Sequence, residues 1–189
     1  SYWSENGDLL TTGEYRNGEP WSGSFVDFLG ADLIVTFQRS FQNGKPHGAW
    51  VWWYDDGTLN TKGAFKNGEK DGKWEWWYAD GKKFAETDYA EGVSQGKLSH
   101  WSEEGELLAE GTYDANGNEV DGIFVDFSAD LFITAQRTYV NGQKEGTWGE
   151  WDGKGPMASE SFSKTDRPTG TWIKWNEDGV KTSEETFSD

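Results

Sequence analysis

The sequence predicts an all-β protein: an elongated, single-layer antiparallel β-meander built from about seven tandem hairpin repeats. Three observations carry this. Seven glycines, Gly23, Gly48, Gly72, Gly96, Gly122, Gly146 and Gly170, recur at intervals of 25, 24, 24, 26, 24 and 24 residues. Two residues after each stands a large apolar side chain (Phe25, Trp50, Trp74, Leu98, Phe124, Trp148, Trp172), and five after each an aromatic one (Phe28, Trp53, Trp77, Trp101, Phe127, Trp151, Trp175). Turn dipeptides punctuate the chain between these positions. A fixed period of this length marks one supersecondary unit copied end to end.

Each unit divides into two short strands. In the second, the first strand runs from Gly48 to Tyr54 and the turn is Asp55-Asp56-Gly57. The return strand runs from Leu59 to Phe65 and ends at Asn67-Gly68. The inner turn recurs as Asp80-Gly81, Glu104-Gly105, Asp152-Gly153 and Asp178-Gly179, the outer one as Asn17-Gly18, Asn43-Gly44, Asn116-Gly117 and Asn141-Gly142. Asn-Gly and Asp-Gly supply the positive φ that tight hairpin turns need, so strands follow one another antiparallel. Pro20, Pro46, Pro156 and Pro168 all lie near turns, where a missing N–H costs little. No segment carries capped helical periodicity. A lone hairpin is marginal in water, so the units must lean on one another as a single repeat domain over 1–189. A longer period overlies the short one: Phe25-Val26-Asp27-Phe28 returns as Phe124-Val125-Asp126-Phe127, and Gln38-Arg39 as Gln136-Arg137. This reads as a duplicated four-repeat block, and the units around Phe25 and Phe124 share a return strand without the usual Asp-Gly turn.

The 17 basic residues face 34 acidic ones, a formal net charge of -17. That speaks against phosphate backbones and anionic lipid, which need clustered cations, and favours a basic partner or high solubility. There is no cysteine, hence no disulfide, thiolate nucleophile or cysteine metal site. No apolar run is long enough to span a membrane. Localisation is left open between cell envelope, secreted and cytoplasmic.

Catalytic signatures are missing. His47 and His100 are the only histidines, and turn chemistry accounts for His47. No nucleophile elbow, zinc helix or phosphate loop is present. Asp27 and Asp126 share a register in the two blocks, but hard-cation sites need several convergent oxygens, and duplication alone explains the pair. The expectation is a non-enzyme without metal or cofactor.

The most informative column lies four residues past each pacing glycine: Asp27, Trp52, Trp76, His100, Asp126, Glu150, Lys174. The columns at two and five keep their apolar character and this one does not, so the repeat leaves it free for specificity. Trp52, Trp76 and His100 fall on consecutive hairpins, roughly 10 Å apart at two strand spacings. With Asp27 and Asp126 they are the candidate partner-binding residues; the competing role is packing along one sheet face. Trp50, Trp53, Trp74, Trp77, Trp101, Trp148, Trp151, Trp172 and Trp175 are assigned to the scaffold. Columns two and five have opposite parity. Either both faces carry aromatics, or a bulge near the glycine brings them to one face.

The string Phe65-x-Asn67-Gly68-x-x-x-Gly72-x-Trp74-x-x-Trp77-Tyr78-x-x-Gly81 resembles the MORN repeat in its variant common in bacterial proteins. Phe41 to Gly57, with Pro46-His47-Gly48, resembles it as closely. The resemblance spans essentially the whole chain. It implies single-layer hairpin arrays with interaction and scaffolding roles, some bacterial members being antitoxin or immunity-like and others found on cell surfaces. The leading expectation is therefore a monomeric, non-enzymatic module whose acidic, aromatic sheet captures a basic protein, in the sharpest version as an immunity or antitoxin-like protein. The alternatives are a cell-envelope or surface adhesin repeat protein and, less favoured, a glycan binder.

Overall fold

The computed structural model describes residues 12–30, 34–151, 156–162, 168–175 and 180–187. The inner turns Asp152-Gly153 and Asp178-Gly179 and the side chain of Trp175 lie outside what it describes. The described residues form 17 strands and no helix. These are β1 (Glu14–Arg16), β2 (Glu19–Leu29), β3 (Ile34–Gln42), β4 (Lys45–Pro46), β5 (Gly48–Trp53), β6 (Leu59–Lys66), β7 (Glu69–Trp77), β8 (Lys83–Ala90) and β9 (Val93–Trp101), then β10 (Leu107–Tyr113), β11 (Glu119–Phe127), β12 (Ile133–Val140), β13 (Gln143–Lys144), β14 (Gly146–Trp151), β15 (Pro156–Phe162), β16 (Pro168–Trp175) and β17 (Lys181–Phe187). Contacts divide the chain into two units, 1–96 with 100–106, and 97–99 with 107–189.

Each unit is a single-layer antiparallel meander. In the first, β1 through β8 pair in chain order, β3 pairing with both β4 and β5. In the second, β10 through β17 do so too, β12 pairing with both β13 and β14. The outer turns are two-residue hairpins with positive φ at both central positions, as at Asn67 (56°) and Gly68 (101°). Glu91-Gly92 builds this turn too, with a glutamate where the others place asparagine. Asn116-Gly117 departs from it: only the glycine has positive φ, and Asp114 caps a wider turn by accepting the Asn116 and Asn118 N–H groups.

The inner Asp-Gly turns are likewise wider than expected. At Asp55-Asp56-Gly57 only Gly57 is left-handed, and Asp56 Oδ1 accepts the Thr58 N–H at 2.8 Å. That backbone donor holds the Asp56 carboxyl below the usual range. In the variant turn of the second unit, Leu131 occupies the left-handed position at φ 63° while Ser128 accepts the Phe132 N–H.

All seven pacing glycines have positive φ. As the strand passes Gly72, its register against β6 shifts between Lys62 and Ala64, and a second shift falls between Trp76 and Trp77 against β8. Neither inserts a residue between columns two and five on their own strand, so those columns stay on opposite faces. Trp77 keeps to the face of Lys83, whose ammonium lies 5.8 Å from its ring and bonds Glu75 and Glu86. Trp151 covers Gly149 of the same strand face. Both faces therefore carry aromatics.

The core is a spine of rings on the other face. In the first unit it runs Tyr15–Phe25 (5.0 Å), Phe25–Phe41 (5.7 Å), Phe41–Trp50 (5.7 Å), Trp50–Phe65 (4.7 Å), Phe65–Trp74 (5.1 Å) and Trp74–Tyr89 (6.3 Å), ring centre to ring centre. In the second, Tyr113, Phe124, Tyr139 and Trp148 continue the same scheme, and Trp172 meets Phe187 at 5.0 Å. Edge-to-face rings gain from quadrupole contacts as well as from burial. Each strand of a one-layer sheet thereby buries side chains against its neighbours rather than against a second layer. Trp50, Trp74 and Trp148 also donate their indole N–H to a carbonyl ten residues upstream, on Ser40, Ala64 and Thr138, at 3.0 to 3.1 Å.

Candidate functional site

Strand register decides which column-four residues meet. Asp27 pairs with Phe37, Phe37 with Trp52, Trp52 with Thr61, Thr61 with Trp76, and Trp76 with Ala85. One transverse row of the first unit thus holds Asp27, Trp52 and Trp76, with Thr61 buried between the two indoles. Because columns two and four have the same parity, this row lies on the face of the aromatic spine. Trp52 stacks on Phe37 (4.4 Å, 15° between planes) and approaches Trp50 at 5.5 Å and Trp74 at 6.4 Å. Trp76 meets Trp74 at 6.1 Å. Both stay half-buried, so they pack along the face and still present ring surface.

His100 is placed against a different ring. Phe84, the extra residue in the β8 side of the register shift, sits 5.5 Å from the His100 ring and 5.2 Å from Tyr78. Asp27 is half-exposed and paired with Arg39, Nη2 to Oδ2 at 3.1 Å. In the second unit, Asp126 receives two bonds from the Arg137 guanidinium, which also binds Glu119 Oε1 at 2.9 Å. The row through Asp126 runs on to Ala135 and Glu150, and is charged where that of the first unit is aromatic. Of the scaffold tryptophans, Trp74 is 2% exposed, while Trp50, Trp53, Trp77, Trp101, Trp148, Trp151 and Trp172 are half-buried.

Several structural roles escaped the sequence reading. Lys70, two residues before Gly72, holds its ammonium over Trp74 at 4.4 Å, Tyr89 at 4.8 Å and Trp76 at 5.4 Å. Lys144 does the same over Trp148 at 4.5 Å. Tyr54 and Tyr78, six residues past their glycines, donate their hydroxyls to the carbonyls of Trp77 and Trp101, each tying one hairpin to the next. The residue before the pacing glycine holds the following outer turn: Ser22, His47 and Asp121 accept the N–H of Asn43, Asn67 and Asn141. Their signal in the sequence is positional: Lys70 and Lys144 stand two before a pacing glycine, Tyr54 and Tyr78 six past one.

No curated protein matches the chain. The model of the MORN repeat variant family matches residues 46–67 and 70–91, so the two adjacent hairpins that carry Trp52 and Trp76 are repeats of that type.

Proposed function

We propose that this chain is a non-enzymatic binding module whose aromatic face captures a basic protein, as an immunity or antitoxin-like protein does. The observation that carries the reading is the behaviour of the aromatic face toward cations. Lys70 over three rings, Lys144 over Trp148, and Arg39 at 5.2 Å from the Phe37 ring are all cation–π contacts made within the chain. A ring face attracts a cation through its quadrupole, and the attraction strengthens as water is excluded. Half-buried Trp52 and Trp76 extend this face, and a net charge of -17 draws cationic partners toward it. The MORN repeat variant match adds a fold built for interaction rather than for a single chemistry.

The test pairs the chain with a small basic protein of high net positive charge, and with any basic product of a neighbouring gene, in surface-binding kinetics at several salt concentrations. Association is expected to slow steeply with salt while dissociation changes little. The double variant Trp52→Ser with Trp76→Ser is expected to dissociate faster with its fold retained. Binding that is insensitive to both salt and the double substitution overturns the reading.

A further inference from the structure

We propose that the ring cluster Trp50, Trp52 and Phe65 is a seat for a lysine side chain of the partner protein. The proposal rests on the function proposed above and adds the group recognised and the place where it docks.

The seat is already occupied one hairpin further on, by the chain itself. There Trp74 and Trp76 on β7 and Tyr89 on β8 surround the Lys70 ammonium. The preceding hairpin repeats this arrangement in the same register. Gly48 pairs with Phe65, Trp50 with Gly63 and Trp52 with Thr61, just as Gly72 pairs with Tyr89, Trp74 with Thr87 and Trp76 with Ala85. The rings again lie together, Trp50 at 5.5 Å from Trp52 and 4.7 Å from Phe65.

Two things differ. Phe37 stands across from Trp52 and stacks on one face of it, where Thr61 stands across from Trp76, so only the other face of Trp52 is open to a ligand. The second difference is the residue two positions before the glycine. Lys70 pairs with Phe65; its equivalent, Pro46, pairs with Phe41 in the same way. Proline carries no charge and its ring cannot reach across the aromatic face. Trp74 beneath Lys70 is 2% exposed, whereas its equivalent Trp50 is half-buried; the other two rings are half-buried in both clusters. The nearby cations of the chain are directed elsewhere. Arg39 is bound to Asp27 and lies over the neighbouring Phe37 ring at 5.2 Å, and Lys45 precedes Pro46, so strand alternation sends it to the opposite face. A cluster that seats a lysine in one repeat and stands without it in the preceding one, on a chain of net charge -17, fits an incoming ammonium group.

The probe is a lysine-rich decapeptide, with its fully Nε-acetylated form as the uncharged control, followed through the indole N–H signals of Trp50 and Trp52. The charged peptide is expected to move both signals and the acetylated one neither. Pro46→Lys places a tethered lysine in the seat and is expected to weaken the peptide by about fivefold, the worth of one cation–π contact. Thr112→Lys, an exposed site in the other unit, makes the same charge change and is expected to bind like the parent. Lys70→Met frees the second cluster, so the Trp74 and Trp76 signals should then respond as well. The Gly68 N–H bonds the Pro46 carbonyl, which Pro46→Lys keeps. Should that variant still fail to fold, Lys70→Met decides alone. Equal binding by the acetylated peptide, by Pro46→Lys, or no new signals in Lys70→Met overturns the seat. If the basic protein is captured equally by Pro46→Lys and the parent, the seat falls and the broader function stands. If no basic protein binds in a salt-dependent way, the broader function falls.

Discussion

Trp74 lies over Gly63 so closely that a Cβ on residue 63 would fall 2.2 Å from its Cδ2. The same relation holds between Phe124 and Gly111, at 2.5 Å from Cζ. Neither glycine has a positive φ, so the demand is for space and not for an unusual backbone. Gly63→Ala is therefore expected to destabilise the protein by about 1–3 kcal/mol through overpacking. It should also alter tryptophan fluorescence, because the indole must leave its place over the strand. Gly57→Ala, which meets nothing within 4 Å but forces a side chain into a left-handed backbone position, should also destabilise yet leave that fluorescence unchanged. Urea denaturation with both variants checks this, and an unaltered Gly63→Ala protein refutes it.

The scaffold tryptophans are unequal. Trp74→Ala removes a fully buried ring and should cost about 3–5 kcal/mol. Trp77→Ala should cost clearly less, since its ring is half-buried on the charged face. Asp27→Ala breaks a half-exposed ion pair with Arg39 and should cost under about 1 kcal/mol. Thermal or urea melts that place Trp77→Ala at or above Trp74→Ala would contradict this assignment of faces.

Tyr78 links the stability of the first unit to alkaline pH. Burial, then the carboxylates of Glu103, Glu104 and Asp80, push its phenol above the usual tyrosine range, while its hydroxyl donates to the Trp101 carbonyl at 2.7 Å. A raised folded-state pKa means the folded form holds the proton longer. The stabilisation is thus complete below about pH 10 and is lost as pH rises through the shifted value. Tyrosinate absorbance should show a late step, and Tyr78→Phe should remove both that step and its share of the alkaline loss of stability. An alkaline titration left unchanged by Tyr78→Phe would count against it.

In the second unit, Arg137 is held by two carboxylates of unequal exposure, Glu119 at 18% and Asp126 at 54%. Glu119→Gln should destabilise by about 1 kcal/mol and Asp126→Asn by less, because the more exposed pair is screened by water. A double-mutant cycle with Arg137→Met checks the order, and a larger coupling to Asp126 would reverse it.

Much of this was legible in the chain. Gly48, Gly72 and their equivalents announced the period, and Asn67-Gly68 the two-residue turn. The parity of Trp74 and Trp77 posed the question of faces without answering it. Other features were not legible because they depend on the register between neighbouring strands or on a single side-chain hydrogen bond within a turn. The wide Asp-Gly turn owes its shape to the Asp56 side chain, and Glu91 takes a conformation its residue type does not advertise.

The sequence by itself determined the repeat, the strands and the alternation within each strand, since these follow from local sterics and a period of two. Only the tertiary structure decided that Asp27, Trp52 and Trp76 share one row, that His100 meets Phe84, and that Lys70 rests on rings where Pro46 leaves them open. Those relations are set by register between strands, and a slip of one residue would send the same side chains to the other face.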